Sequence, residues 1–129
     1  MKIYSRNIEY HAFYNTEIGP LTISNINDKK CNIDTHTFYN NKFKGAVSIS
    51  GNVNIKQFAF IYSTFEKDLT IMTKSIDKYA FSLCNNIRPI KLSIGNTDIN
   101  SHAFELFGNC KNAINLVFIG DYSFTGCKS

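Results

Sequence analysis

The sequence predicts a solenoid of about six short coils stacked along one axis, with a parallel sheet on one face and short helical or 3-10 turns on the other. Three observations favour this fold over all 129 residues. A phenylalanine recurs about every 22 residues, an isoleucine precedes each copy at a constant distance, and an alternating apolar pair follows most copies. A single coil of this size is not stable alone, so each coil must bury its apolar residues against its neighbours.

The recurring phenylalanine defines the period. Six copies follow one another at intervals of 25, 22, 21, 23 and 20 residues, and each comes directly after Ala, Thr or Ser: Phe13, Phe38, Phe60, Phe81, Phe104 and Phe124. The isoleucines stand five positions earlier: Ile8, Ile33, Ile55, Ile76, Ile99 and Ile119. Because the isoleucine and the small residue are four apart, they would share one side of a short helical turn, where a small side chain lets the next coil approach closely. We therefore predict one domain over residues 1–129, with repeat units centred on these phenylalanines and an incomplete last unit.

The alternating apolar pairs predict the strands of the parallel sheet, each with one buried face. The pairs are Leu21/Ile23, Val47/Ile49, Leu69/Ile71, Ile90/Leu92 and Leu116/Phe118. Residues between and after the buried positions would face solvent, and we refer to them as the predicted binding face: Thr22, Ser24, Ser48, Ser50, Thr70, Met72, Lys91, Ser93 and Val117. Solenoids commonly bind partners along such a rigid, little-charged face. The alternative explanation is that Thr and Ser are simply good exposed strand formers.

Residues 119–127 read Ile-Gly-Asp-Tyr-Ser-Phe-Thr-Gly-Cys, which resembles the Ile-Gly-x-x-Ala-Phe-x-x-Cys unit of the BspA-type (Treponema-type) leucine-rich repeat. Residues 47–60 are similar to the part of that unit that runs from the strand into the turn. The resemblance covers nearly the whole chain. It implies a leucine-rich-repeat solenoid, α/β or mostly β, that acts in protein–protein interaction, or in recognition and adhesion at a cell surface.

The four cysteines favour core packing. They include no Cys-x-x-Cys pair and no histidine at zinc-finger spacing: Cys31, Cys84, Cys110 and Cys127. The family's cysteine three residues after the phenylalanine is present as Cys84 and Cys127, and Cys110 would reach the same place if residues 105–107 were an insertion. These three would form a ladder of buried thiols, and Cys31 would take the place that Val53 has in the next unit. Adjacent rungs could be bridged, but a solenoid has its own core, which favours free thiols.

The three histidines share one column of the repeat. His11, His36 and His102 lie two residues before the repeat phenylalanine, where other units have Phe58, Tyr79 and Tyr122. A column that accepts His, Tyr or Phe indicates a half-buried packing position with a polar edge. Only His11 and His36 lie on adjacent coils and could share a metal. We therefore expect neither a bound metal nor another cofactor.

The sequence carries no nucleophile elbow, phosphate loop or zinc-protease motif. Glu9, Asp34 and Asp77 share the column just after the repeat isoleucine, where a short polar side chain can cap the following turn. We therefore expect a protein that is not an enzyme. A hydrolase or metalloenzyme would need a bound metal, or turnover that depends on His36.

Charge and hydropathy limit the classes of partner that we expect for this chain. The net charge of +4 comes from 14 basic and 10 acidic residues scattered along the chain, whereas nucleic-acid binders concentrate Lys and Arg on one stripe. No apolar run could span a bilayer, and the N-terminus lacks the apolar core of a signal peptide. We expect protein partners, without nucleic acid or membrane insertion. The resemblance implies a secreted or surface-displayed protein, whereas a complete chain without a signal peptide would be intracellular.

Neither end of the sequence shows a solenoid cap. An open end exposes apolar core and unpaired strand edges. The chain begins two residues before Ile3 and stops at Ser129, just where the next strand of the unit would begin. Either it was cut from a longer array, or self-association or neighbouring subunits cover its ends. The second case would make it a structural component of a larger assembly, packed through those ends.

Overall fold

The computed structural model is a parallel β-solenoid, and it describes residues 1–4, 7–25, 28–115, 118–119 and 123–125. These residues complete about four turns of the solenoid, and their strands form three parallel sheets. The first sheet contains β1 (Lys2–Ile3), β4 (Leu21–Ser24), β7 (Val47–Ser50), β10 (Leu69–Met72), β12 (Asn85–Gly95) and β14 (Gly108–Asn115). The second contains β2 (Asn7–Ile8), β5 (Cys31–Ile33), β8 (Val53–Ile55), β11 (Ser75–Ile76), β13 (Asp98–Ile99) and β15 (Phe118–Ile119). The third contains β3 (Glu17–Ile18), β6 (Lys42–Phe43) and β9 (Thr64–Phe65).

The repeat isoleucines pair in register along the second sheet. Ile33 lies opposite both Ile8 and Ile55. The same register continues through Ile76, Ile99 and Ile119. The side chains of Ile33, Ile55, Ile76 and Ile99 are fully buried. The predicted isoleucine column is therefore one continuous wall of the core.

The repeat phenylalanines stack ring on ring through the core. From Phe13 to Phe124, successive ring centroids are 5.1, 4.8, 4.6, 5.0 and 4.9 Å apart, and successive planes lie within 12° of parallel. The four central rings are fully buried, whereas Phe13 and Phe124 are partly buried against the core. Full burial of one such ring is worth about 1.5–3 kcal/mol from the hydrophobic effect. The predicted stacking of the repeat phenylalanines is confirmed.

The predicted helical turns do not form in the described residues, where hydrogen-bonded turns join the second sheet to the phenylalanine ladder. Two residues have positive φ in each of the five turns between residues 10 and 106, for example His36 at 56° and Asn40 at 52°. A right-handed helix requires negative φ throughout. The backbone also bonds between coils, since the Phe38 N–H donates to the Ala59 carbonyl at 2.8 Å. The small residue of the repeat is therefore where the backbones of adjacent coils meet.

In the first sheet, β12 of the fourth coil pairs with β10 in a different register from the predicted one. Leu69 lies opposite Leu92, and Ile71 lies opposite Ile94. The pair that continues the core is therefore Leu92/Ile94, two residues later than the predicted Ile90/Leu92. Apolar residues alternate without interruption from Ile90 to Ile94, so periodicity alone selects the face of the strand and leaves its register open by two residues.

The prediction for the fifth strand is wrong. Ile94 pairs with Ile114 in β14, so the fifth strand of the first sheet comes earlier in the chain than the predicted pair Leu116/Phe118. Phe118 belongs to the second sheet and lies opposite Asp98. Leu116 lies outside the described residues. In the fifth unit β14 ends at Asn115 and β15 begins at Phe118, at the same interval as β12 and β13 in the fourth unit.

Residues 105–107 are not an insertion, which was the condition for Cys110 to join the thiol ladder. Leu106 has the positive φ of Leu83, and the Leu83 N–H donates to the Glu105 carbonyl, so the two turns align residue for residue. Phe107 is fully buried three residues after the repeat phenylalanine, in the place of Cys84. Cys110 instead lies in the first sheet opposite Ile90, outside the predicted thiol ladder.

Candidate functional site

The predicted binding face forms two rows on the first sheet. In one row Thr22 lies opposite Ser48, followed by Thr70 and Ser93. In the other, Ser24 lies opposite Ser50, which lies opposite Met72. The hydroxyl-bearing residues are all half-buried, and Met72 is 58% exposed. Because neighbouring strands lie about 4.8 Å apart, the residues of both rows are regularly spaced.

One member of the predicted binding face, Lys91, does not belong to these rows. Lys91 is exposed, but it comes before the stretch of β12 that pairs with β10, and its backbone N–H donates to the Asp68 carboxylate at 3.1 Å. Val117 lies outside the described residues. The position after Ser93 that would extend the second row is Gly95, beside the Met72 side chain. In the described residues, the predicted binding face therefore consists of two uncharged rows of hydroxyls with one exposed methionine.

A second surface lies at the turns, where the histidine column forms a ladder of rings. The ring centroids of His11, His36, Phe58, Tyr79 and His102 follow one another at 5.9, 5.5, 5.4 and 5.1 Å. Each of these residues has a φ between 56° and 61°. This conformation costs a residue other than glycine about 1–2 kcal/mol. Ring stacking worth about 0.5–1.5 kcal/mol per pair offsets much of that cost.

Tyrosines widen this ladder at the N-terminal coils. Tyr10 stacks on His11 at 3.8 Å, Tyr14 stacks on Tyr39 at 5.1 Å, and Tyr62 meets Tyr39 edge-on at 5.5 Å. Tyr10, Tyr14 and Tyr62 are between 45% and 56% exposed. We call the seven residues of the first three coils the aromatic cluster: Tyr10, His11, Tyr14, His36, Tyr39, Phe58 and Tyr62.

The aromatic cluster joins exposed and half-buried rings of three coils in one surface. Aromatic residues are enriched at the centres of protein interfaces. Sequence reasoning identified the histidine column but assigned it to packing alone. The signal that this interpretation left unused is the set of further tyrosines in the turns of the same coils: Tyr10, Tyr14, Tyr39 and Tyr62.

His36 is the polar centre of the aromatic cluster. Its Nδ1 atom is buried and has no hydrogen-bond partner among the described residues. Burial, and secondly the nearby His11, lowers the pKa of His36. The described residues include no group of three or more His, Cys, Asp or Glu side chains that could hold a metal ion. His11 and His36 together therefore supply at most two of the ligands that a metal site needs.

Cys31 and Cys84 lie in the core as predicted. Cys31 is fully buried and lies opposite Val53 in the second sheet. Cys84 is also fully buried, and its Sγ donates to the Phe60 carbonyl at 3.1 Å. One coil earlier, the Ser63 hydroxyl makes the equivalent hydrogen bond. Burial raises the pKa of Cys31, which disfavours a reactive thiolate. Cys127 lies outside the described residues.

Two members of the predicted carboxylate column, Asp34 and Asp77, accept hydrogen bonds, one within a turn and one from the next coil. Asp34 accepts a hydrogen bond from the Thr35 N–H at 2.8 Å, and Asp77 accepts one from the Asn100 side-chain amide at 3.2 Å. Asp77 and Asn100 also line an open depression of about 270 Å³ with Gln57 and Lys78. A carboxylate held by an amide in an open depression is poorly placed for general acid–base chemistry. The carboxylate column therefore indicates a structural role.

Comparison with known proteins identifies the repeat. The BspA type leucine rich repeat region matches this chain in six copies over residues 6–129. No curated protein and no solved structure matches the chain significantly. In the part of the chain that the structure describes, no helix is long and apolar enough to span a bilayer. Leucine-rich repeats are typically non-enzymatic scaffolds for protein interaction. The chain belongs to the BspA-type leucine-rich repeat family.

Proposed function

We propose that this protein is a non-enzymatic interaction module that binds a partner protein in recognition or adhesion at a cell surface. The observation that carries the proposal is the pairing of a rigid scaffold with uncharged, exposed aromatic side chains in the aromatic cluster. Stacked rings held by their neighbours lose little conformational freedom on binding, which favours affinity. The solenoid is therefore well suited to dock a folded surface without rearranging.

The predicted binding face is the second contact surface in this proposal. Its hydroxyl rows are half-buried and lie on strands that are paired on both sides within the first sheet, such as β7 and β10. Hydroxyl groups both donate and accept hydrogen bonds, so the rows suit the polar rim of an interface.

The partner we expect is a protein of acidic net charge with apolar side chains and hydrogen-bond acceptors at its contact surface. The chain has a net charge of +4, which attracts an acidic protein over long range. Tyrosine hydroxyls at the edge of the aromatic cluster donate hydrogen bonds to carboxylate or carbonyl oxygens. The charge speeds the encounter, whereas the aromatic contacts determine the lifetime of the complex.

The test is a binding titration of the labelled full chain against surface-protein extract of the source cells. Tyr14→Ser removes a ring from the aromatic cluster, and Tyr4→Ser removes a comparably exposed tyrosine outside it. We expect saturable binding that weakens about tenfold or more in Tyr14→Ser, as for an interface hot spot, and is unchanged in Tyr4→Ser. Equal affinity of both variants, or binding that does not saturate, would contradict the proposal.

The predicted binding face is tested in the same titration. Thr70→Lys puts a long charged side chain into the hydroxyl row, and Thr64→Lys makes the same change at a half-buried position of the third sheet. We expect Thr70→Lys alone to weaken binding. Identical affinities would remove the predicted binding face from the proposed contact surface.

The alternative function is a structural component that associates through its strand edges. Within the described sheets, β1 and β2 are edge strands, and an unpaired edge can accept a strand from another subunit. Light scattering over a concentration series separates the two functions. A chain that stays monomeric in dilute solution supports recognition, whereas association at every accessible concentration supports assembly.

A further inference from the structure

We propose that the His11–His36 pair makes the contact between the first two coils sensitive to acid. Below about pH 6.5, the ordinary midpoint of an imidazole, the coil that carries Phe13 loosens from the coil that carries Phe38, while later coils stay packed. This inference concerns the stability of the solenoid and does not depend on the proposed function.

Aromatic rings enclose His36 on both sides. The ring centroid of His11, on the preceding coil, is 5.9 Å away, and that of Phe58, on the following coil, is 5.5 Å away. Tyr10 and Tyr39 lie at 5.7 and 5.6 Å. Neutral rings pack well in this arrangement. A proton on each imidazole would instead bring two like charges together at the junction of the coils.

The buried Nδ1 atom of His36 makes protonation more costly. A neutral imidazole needs one N–H, which can sit on Nε2, whereas an imidazolium carries an N–H on both nitrogens. Because Nδ1 has no hydrogen-bond partner among the described residues, the added N–H would be buried without an acceptor. The direction of the pKa shift of His36 agrees with this geometry.

In the described residues, no carboxylate forms an ion pair with either imidazole. The charged side chains nearest in sequence are Glu9, Asp34 and Lys56, each two residues before its ring. Asp34 accepts a hydrogen bond from the backbone of Thr35. The ion pairs of the described residues, Lys42–Glu66 and Lys44–Glu17, lie on the side of the third sheet and involve neither imidazole. The titratable residues in ring contact with His36 are His11, Tyr10 and Tyr39.

The sign of the effect follows from proton linkage. Because the pKa of His36 is lower in the packed coil than in a loosened one, the loosened coil binds more protons. The packing is therefore most stable above about pH 6.5 and weakens as the pH falls from there through the lowered pKa. The first coil is also less tightly packed than the second, since Phe13 is only partly buried whereas Phe38 is fully buried.

Hydrogen exchange of the full chain, read by mass spectrometry at about pH 5 and about pH 7.5, tests the proposal after correction for intrinsic exchange rates. We expect peptides from residues 7–18 to lose protection about tenfold or more in acid, while peptides from residues 69–81 change little. Unchanged protection in the first coil would overturn the proposal.

Two variants, each replacing a histidine of the same repeat column with phenylalanine, test whether His36 causes the acid response. His36→Phe installs the residue that Phe58 already provides in the same column at a similar φ, so we expect folding at neutral pH and no loss of protection in acid. His102→Phe makes the same change three coils away, and we expect it to keep the acid response of the first coil. Retention of the response in His36→Phe, or its loss in His102→Phe, would overturn the assignment.

A titration of the unmodified chain by NMR covers the case in which His36→Phe does not fold. We expect the imidazole of His36 to titrate with the same midpoint as the backbone amides of residues 7–18. Titration of His36 without any change in those amides would overturn the proposal.

Discussion

Phe60 and Phe81 lie 4.6 Å apart with their rings 8° from parallel, although 21 residues separate them in the chain. The backbone holds this contact in place, because the Phe60 N–H donates at 2.7 Å to the carbonyl of Ala80, which directly precedes Phe81. One repeat therefore contributes the ring, and the next contributes both the stacking partner and the backbone acceptor. The same arrangement recurs along the described coils, which makes the phenylalanine ladder the axis of the fold.

Phe60→Ala should destabilise the solenoid by about 3–5 kcal/mol, because it removes a fully buried ring and leaves a cavity between two stacked neighbours. Tyr62→Ala in the same coil should cost less than about 1 kcal/mol, since Tyr62 is 46% exposed. Urea denaturation followed by circular dichroism measures both values. Similar costs for the two variants would contradict the assignment of Phe60 to the core.

Gly51→Ala should destabilise the protein by about 1 kcal/mol or more. Gly51 has a φ of 99°, and an added Cβ would collide with the side chain of Asn25. Gly19→Ala is the matched control because no atom lies within 4 Å of its added Cβ, and we expect a change within about 0.5 kcal/mol. Thermal denaturation measures the loss of stability in Gly51→Ala and in Gly19→Ala. A neutral Gly51→Ala would show that the turn between β7 and β8 has a different conformation.

Cys84→Ser should be tolerated, with a loss below about 1.5 kcal/mol, because a hydroxyl can keep the hydrogen bond to the Phe60 carbonyl, as Ser63 does one coil earlier. Cys84→Phe copies Phe107 of the following coil, but it should cost about 1–3 kcal/mol or more through overpacking. Denaturant titration gives both values. A Cys84→Ser variant as unstable as Cys84→Phe would argue against this hydrogen bond.

Cys31 and Cys84 should resist alkylation in the folded protein and react only after unfolding, since both are fully buried and burial raises the pKa of Cys31. Iodoacetamide labelling at neutral pH, with peptide mapping before and after addition of denaturant, measures the reactivity of each site. Rapid labelling of either cysteine in the native protein would contradict its place in the core.

A Thr70→Cys/Ser93→Cys double variant should form a disulfide under mild oxidation, because the two residues lie opposite each other on neighbouring strands. The pair Thr70→Cys/Lys91→Cys tests the register that sequence alone predicted, and we expect it to bridge poorly. Peptide mapping identifies the bridge. Preferential bridging of the second pair would restore the original register.

The isoleucine and phenylalanine columns could be predicted because the repeat itself reports them. An invariant spacing between Ile55 and Phe60, repeated in every unit, requires equivalent places in equivalent coils. The sheet containing Thr70 followed from simple alternation. These features depend on local pattern, so they are visible without knowledge of tertiary contacts.

The register of β12 and the nature of the turns could not be predicted in the same way. Ile90, Leu92 and Ile94 alternate evenly, so only pairing with Leu69 and Ile71 selects the register. The positive φ of His36 and of its column equivalents has no sequence signature, because aromatic residues rarely adopt it. Contacts between coils stabilise that conformation. The spacing of isoleucine and small residue within one unit does not report those contacts, so it suggested a helix instead.

The aromatic cluster could be predicted from the sequence only in part. The recurrence of aromatic residues at His36 and Tyr39 is visible in the sequence, but their exposure is not. Whether a ring one residue from the core points inward or outward depends on the turn, and the turn was predicted incorrectly. The exposed fractions of Tyr10, Tyr14 and Tyr62 therefore required the structure.

The most direct test of the stacked solenoid is a nuclear Overhauser measurement of contacts among Phe38, Phe60 and Phe81 in solution, with phenylalanine rings labelled. Stacked coils predict ring-to-ring contacts between Phe38 and Phe60 and between Phe60 and Phe81, with none between Phe38 and Phe81. Rings that contact only residues of their own repeat, or a direct contact between Phe38 and Phe81, would contradict the account.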